Sequence, residues 1–360
     1  MATRFELVLV DDGDRLRVRA AGEAALEAVE RCDAEWSAFA SDSFLAHLNR
    51  TAALRPVALD ADQFELLAAC EDAWRATGGA FDPSVAPLVR ALDRRAPCGG
   101  ELALDAAAAR EYVAAAREYV GWDAVRLDRE RRTLRFARPG VALDLGGIAK
   151  GHALELAARE LRAAGVTNAL LHGGTSSVLA LGAPPDARAW RVALEGGDGA
   201  PVVELCDAAL SVSAQHGRTL ADGSGHVLDP RTRTSAASDA TVAVVHADAR
   251  IAEAWSTALL VLGELPREGR ELDVELASAP RGSPSRLDRE PPHSQLETDP
   301  TMHDSRIETA GAPRGGRFGT AHAPRDLELA FGRGPRFARS WQFNRTPDVS
   351  SFLRSATVLP

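Results

Sequence analysis

The sequence predicts an α+β fold over residues 1–263, with mixed and antiparallel sheets flanked by helices. Three observations carry that reading. Short β-like runs recur with turn signals between them, several neighbouring runs are joined by hairpin-length turns, and the helical stripes fall between them at irregular intervals. A doubly wound parallel sheet demands a stricter alternation of strand and helix.

Taken in order, residues 5–9 and 16–18 alternate around Asp11-Asp12-Gly13-Asp14, a hairpin signal. Residues 22–36 place Ala25, Leu26, Val29 and Cys32 on one helical stripe. A second helix is predicted over 61–76, stopping at Thr77-Gly78-Gly79, and an alanine-rich one over 105–119. Val125–Leu127 and Thr133–Phe136 flank Asp128-Arg129-Glu130 as a hairpin. Val141–Leu143 reads as a strand leading through a glycine turn into a helix from about 150 to 164. Six short β runs follow: Asn168–Leu171, Val178–Leu181, Trp190–Leu194, Val202–Leu205, Ala209–Val212 and Thr241–Val245. A helix over about 251–262 closes the patterned region. From 264 to 360 the chain holds more than half of its 20 prolines, periodicity fades, and a disordered or atypical tail is expected. Scattered aromatics between Phe331 and Leu353 suit docking on another surface.

An apolar fraction of 45% supplies a sizeable core, and a net charge of −9 argues against wholesale nucleic-acid binding. No apolar run is long enough to span a membrane, and no secretory leader precedes the first alternating segment. The chain as given is therefore expected in the cytoplasm, and outside it if translation starts upstream. Cys32, Cys70, Cys98 and Cys206 lack metal or disulfide spacing and read as reduced thiols. Lys150 is the only lysine among 42 basic residues; all others are arginine. A compact ammonium and a planar fork do different work at a phosphate, so this position draws attention.

Lys150 sits in Asp144-Leu145-Gly146-Gly147-Ile148-Ala149-Lys150-Gly151. Glycines admit close backbone approach, and a helix N-terminus with a lysine suits a phosphate or pyrophosphate. The spacing is not that of a P-loop. Asp144, before the turn, suits orienting a ligand or holding the turn through backbone N–H groups. His226, in Gly225-His226-Val227-Leu228-Asp229-Pro230-Arg231-Thr232, is a candidate general base. Glu253 and Thr257 stand one helical turn apart, where a carboxylate and a hydroxyl suit a hard cation. Thr77-Gly78-Gly79-Ala80-Phe81-Asp82-Pro83 makes a tight loop able to lie against a planar ring, and His172-Gly173-Gly174-Thr175-Ser176-Ser177 a small polar turn between strands.

Together and in this order, these segments, with Trp36-Ser37-Ala38-Phe39, Asp42-Ser43 and Asn49, resemble the ApbE-like FAD:protein FMN transferase family. The resemblance covers about residues 1–263. It implies an α+β fold with FAD in a cleft. Met1, Phe39, Ala80, Phe81 and Asp82 are then expected to line the flavin or adenine, and Asp144, Lys150 and the Leu228 backbone to complete the FAD site. A magnesium ion is expected on the Gly147 carbonyl, Glu253, Ser256 and Thr257. The implied reaction moves FMN from FAD to a Thr or Ser hydroxyl of an acceptor flavoprotein and releases AMP, with His226, Lys150 and Asp144 as catalytic residues. Magnesium-dependent FAD hydrolysis to FMN and AMP, or FAD binding without catalysis, are the alternatives. Glu253 departs from the family's usual aspartate, and Ser256 from a second acid in some members, so weaker metal binding is expected. The family's closing helix and strand are not recognisable after Gly263.

Overall fold

The structure, a computed structural model, describes residues 3–10, 14–94, 102–194, 201–215, 219–220, 223–238 and 240–271, together with the backbone of strands 275–278 and 338–342. The helices are α1 (Arg15–Trp36), α2 (Phe44–Thr51), α3 (Ala61–Ala76), α4 (Ala86–Leu92), α5 (Ala106–Arg117), α6 (Ala149–Ala163), α7 (Ala249–Leu262) and α8 (Arg267–Glu271). The strands are β1 (Phe5–Val10), β2 (Val57–Ala58), β3 (Val125–Asp128), β4 (Thr133–Phe136), β5 (Ala169–Gly173), β6 (Ser177–Leu181) and β7 (Trp190–Ala193). They continue with β8 (Val202–Leu205), β9 (Ala209–Ala214), β10 (Leu228–Asp229), β11 (Thr234–Ser235), β12 (Thr241–His246), β13 (Glu275–Ser278) and β14 (Ala338–Gln342). The class is α+β, as the irregular alternation predicts.

The main sheet has seven strands in the order β13-β12-β9-β6-β5-β1-β14, every pair antiparallel. Smaller ladders join β2-β4-β3, β7-β8 and β10-β11. Period-2 alternation splits the central strands between two cores. Leu7 and Leu9, Leu171, Leu179 and Leu181, and Val242 and Val244 point to the face where α6 and α7 pack. Leu170, Val178, Ala180, Leu210 and Ala243 point the other way, onto Trp190, Val192 and Leu205 of the β7-β8 hairpin. Burial on both faces explains why these strands read as continuous apolar runs, and each fully buried leucine contributes about 2 kcal/mol.

Two predicted elements are corrected. Residues 16–18 are not a strand, because Asp14 caps α1 by accepting the Leu16 N–H at 2.9 Å, and the helix runs from Arg15. The Val141–Leu143 run is buried but joins no ladder. Its hydrogen bonds go instead to a side chain, as Asn49 accepts from the Leu143 N–H at 2.7 Å and donates to its carbonyl at 3.0 Å. After Gly263, α8 and β13 follow, and β14 pairs with β1 in the register Leu7↔Trp341. Cys32, Cys70 and Cys206 are free thiols, the first two buried; Cys98 lies outside the described residues. Among the described residues no helix is long and apolar enough to cross a membrane.

Candidate active site

The first turn of α6 lies beside the first turns of α7, and Gly151 makes this possible. A Cβ there would overlap the Ala249 carbonyl. Gly151, read from sequence as part of a ligand-approach motif, therefore serves helix–helix packing. The close approach sets Lys150 of α6 opposite Glu253 of α7. The ammonium lies 2.6 Å from Glu253 Oε1 and 2.7 Å from Ser177 Oγ. Ser177 also donates to Glu253 Oε1, and Ser211 donates to the same oxygen at 3.2 Å. Ser177 and Ser211 are direct cross-strand partners on β6 and β9. The Ser256 hydroxyl is fully buried among Ser211 at 2.9 Å, Ser213 at 2.8 Å and the Glu253 carbonyl at 3.0 Å. Burying this many polar groups is tolerable because they satisfy one another.

The turn before α6 is held by Asp144, whose Oδ1 accepts the Gly146 N–H at 2.8 Å while its own N–H donates to the Pro83 carbonyl at 2.8 Å. Of the two roles open to Asp144, holding the turn is thus realised. No side chain caps α6 at Ile148, and the Ala149 N–H is taken by the Leu145 carbonyl at 2.8 Å. Gly147 faces two of the predicted site residues. A Cβ there would stand 3.2 Å from the Phe81 ring and 3.4 Å from Thr257 Oγ1. The neighbouring hydroxyls of α7 differ: Ser256 is filled with partners, whereas no hydrogen bond among the described residues engages Thr257.

The 77–85 loop closes this side. Gly78 and Gly79 adopt φ values of +59° and +80°, which their lack of a side chain permits. Ala80, Phe81 and Asp82 are all buried. The Asp82 carboxylate accepts N–H groups from Ser84 at 2.8 Å and Trp122 at 2.9 Å, so both oxygens hold the loop together, and burial pushes its pKa up. Phe39 is 66% exposed on the turn after α1, and Met1 lies outside the described residues.

His226 and Leu228 belong to a separate segment that borders the same loop, since Arg231 Cγ lies 4.0 Å from where a Gly79 Cβ would be. The segment is pinned by Gln215, which accepts from the Val227 N–H at 3.0 Å and donates to the Val227 and Ala236 carbonyls at 2.9 and 2.8 Å. The Leu228 side chain packs with Leu88, Val120 and Leu220, and His226 is half-buried.

The structure thus brings together Phe81, Gly147 and Thr257, and separately Lys150, Glu253 and Ser256, the two sets joined through the first turns of α6 and α7. Sequence reasoning missed Asn49 as a clamp, Gln215 as a pin, and Ser177, Ser211 and Ser213 as the lining around Glu253. A signal for the serines existed: Ala209, Ser211 and Ser213 alternate on the helix-facing side of β9, so hydroxyls stand where an apolar residue is expected.

No group of three or more metal-ligating His, Cys, Asp or Glu side chains forms among the described residues. The residue types nevertheless suit a hard cation, with an unengaged Thr257 hydroxyl facing the Gly147 backbone and the Glu253 carboxylate one turn earlier on α7.

Comparison with known proteins gives a consistent picture. The ApbE family model matches residues 1–275. A FAD:protein FMN transferase of Rhodobacter capsulatus is 31% identical over 249 residues, covering 67% of this chain and 46% of that protein. The chain thus spans about half the length of that relative. A FAD:protein FMN transferase of Haemophilus influenzae is 28% identical over 282 residues, covering 73% and 79% of the two chains. The crystal structure of apo flavinyl transferase ApbE from Pseudomonas stutzeri superposes with a TM-score of 0.61 at 28% identity, covering 74% of this chain and 83% of that one.

Proposed function

The chain belongs to the ApbE family, whose curated relatives here are transferases, and on that premise we propose that it transfers FMN from FAD to a Thr or Ser hydroxyl of an acceptor protein. The acceptor oxygen attacks the FMN phosphorus of the FAD pyrophosphate, a new P–O bond forms, the P–O bond to the adenylate breaks, and AMP leaves. His226 takes the hydroxyl proton. Lys150 and the N-terminus of α6, which no side chain caps, bind the pyrophosphate, and Asp144 keeps the turn before that helix in shape. Phe81, with Ala80 and Asp82 behind it, Phe39, Met1 and the Leu228 backbone contact the flavin or adenine. Gly147, Thr257 and Glu253 hold magnesium, which neutralises pyrophosphate charge when bound. Ser256, whose hydroxyl is already filled, supports Glu253 from behind. The residues assigned to the chemistry all lie within 1–263, while β13 and β14 of the later chain extend the main sheet.

The observation that supports this reading best is the meeting of the Gly147 backbone, the Phe81 ring and the Thr257 hydroxyl beside the Lys150–Glu253 pair. It is tested by adding FAD and Mg2+ to the protein, with and without candidate acceptor proteins, and following AMP and protein-bound flavin. Acceptor-dependent AMP release is expected, with Lys150→Ala and His226→Ala each lowering it by about 100-fold or more while circular dichroism stays unchanged. AMP with free FMN regardless of acceptor identifies a hydrolase. Full transfer by both variants sinks the site assignment.

A further inference from the structure

We propose that Lys150 is a built-in competitor for the divalent cation: in the resting protein its ammonium occupies the Glu253 carboxylate, and the cation gains that carboxylate when Lys150 moves away. The inference rests on the metal reading above and concerns how that same site is regulated.

Glu253 is 3% exposed, and its Oε1 receives Lys150, Ser177 and Ser211 together. Oε1, with three donors, has little room for a further ligand, and Oε2, which no hydrogen bond among the described residues engages, shares a carboxylate whose charge Lys150 already offsets. A unit positive charge at the carboxylate also repels an incoming dication, and does so strongly in a site largely closed to water. The arrangement is nevertheless movable. The Lys150 side chain is 22% exposed, its stem is flexible, and Ser177 gives the ammonium a second partner at 2.7 Å. An anionic pyrophosphate at the α6 N-terminus offers Lys150 a different counter-ion and thereby frees Glu253. Anion and cation then favour each other's binding, a coupling that is reciprocal by linkage.

The experiment uses Mn2+ as a paramagnetic stand-in for magnesium, with free Mn2+ measured by electron paramagnetic resonance and no FAD present. The full chain is compared with Lys150→Met, with Lys150→Gln (which keeps a polar contact for Ser177 should the methionine variant fold poorly), with Glu253→Gln, and with Lys150→Met/Glu253→Gln. Removing the ammonium is expected to tighten Mn2+ binding on the order of tenfold, and the gain is expected to vanish when Glu253 is also replaced. Unchanged or weaker binding in both lysine variants overturns the competition while leaving the metal reading intact. A gain that persists in the double variant also overturns it, because Lys150 then acts elsewhere. If neither the natural chain nor any lysine variant binds Mn2+, the metal reading falls and takes the competition with it.

Discussion

Two buried glutamates of this chain are held in opposite ways. Glu71 on α3 and Glu253 on α7 are 7% and 3% exposed. Glu71 is gripped by guanidinium groups, Arg75 at 2.9 Å and Arg129 through Nε at 3.2 Å and Nη2 at 2.9 Å. Both arginines reach in from the surface. Glu253 has one ammonium and the hydroxyls of Ser177 and Ser211. A planar fork fixes direction as well as charge, so Glu71 is fastened. A point charge on a flexible stem, with hydroxyls that rotate, can be rearranged. A chain that uses arginine in place of lysine everywhere else sets its one lysine against this carboxylate.

The sharpest way to break this contrast is to exchange the two cations. Lys150→Arg is expected to lower flavin transfer by roughly 100-fold, since the larger fork does not fit between Ser177 and Glu253. Arg129→Lys, measured by the same AMP assay, is expected to leave transfer within about twofold and to lower stability in urea by about 0.5 kcal/mol, given its exposed side chain. A fully active Lys150→Arg enzyme collapses the distinction. Next in size is the pair Glu253→Gln and Glu71→Gln. The first leaves the partly exposed Lys150 ammonium without its counter-ion beside buried serines and is expected to cost about 2 kcal/mol, whereas the second leaves solvent-reaching arginines and is expected to cost about 1 kcal/mol. Equal losses in urea melts mean that burial, and not the kind of partner, governs both sites.

A pH-dependent effect concerns two buried histidines, His152 and His172. Burial lowers the pKa of His152, aided by the nearby Arg250, and that of His172 from 6.5 to about 4. Both ring nitrogens of His152 lack a hydrogen-bond partner among the described residues. With folded values below the unfolded one, each contributes stability above pH 6.5 that is lost as pH falls towards 4. About 1 kcal/mol apiece should disappear over the first pH unit below 6.5. Replacing His152 with leucine should flatten its share of that slope; an unchanged slope assigns the acid sensitivity to other groups.

Much of this was legible in the sequence for specific reasons. The central strands announce themselves because both faces are buried, and α3 because Thr77-Gly78-Gly79 stops it; the capping box of Asp60 and Gln63 at its start went unread. Asp11-Asp12-Gly13-Asp14 misleads because a capping aspartate and a hairpin turn share one composition. Val141–Leu143 misleads because an extended, buried segment carries the same residues as a strand, and only Asn49, 94 positions away, reveals that a side chain serves as its ladder. At the site, Lys150, Glu253 and Thr257 could be named from local pattern, and Gly147 from the family resemblance. Their mutual contacts could not, because those depend on how closely α6 and α7 approach at Gly151. The role of Ser256 likewise turns on which way its hydroxyl points across to β9.

The place of β1 in the sheet has a consequence for biosynthesis. This strand precedes both of its neighbours in the chain, β5 on one side and β14 on the other. Neither can pair with it until long stretches of later chain have emerged. Its alternating Phe5, Leu7 and Leu9 must wait unsatisfied in the nascent chain, the situation in which non-local pairing slows folding and invites association with other chains. A nascent chain that ends before residue 169 therefore carries β1 without either of the strands that cover its edges.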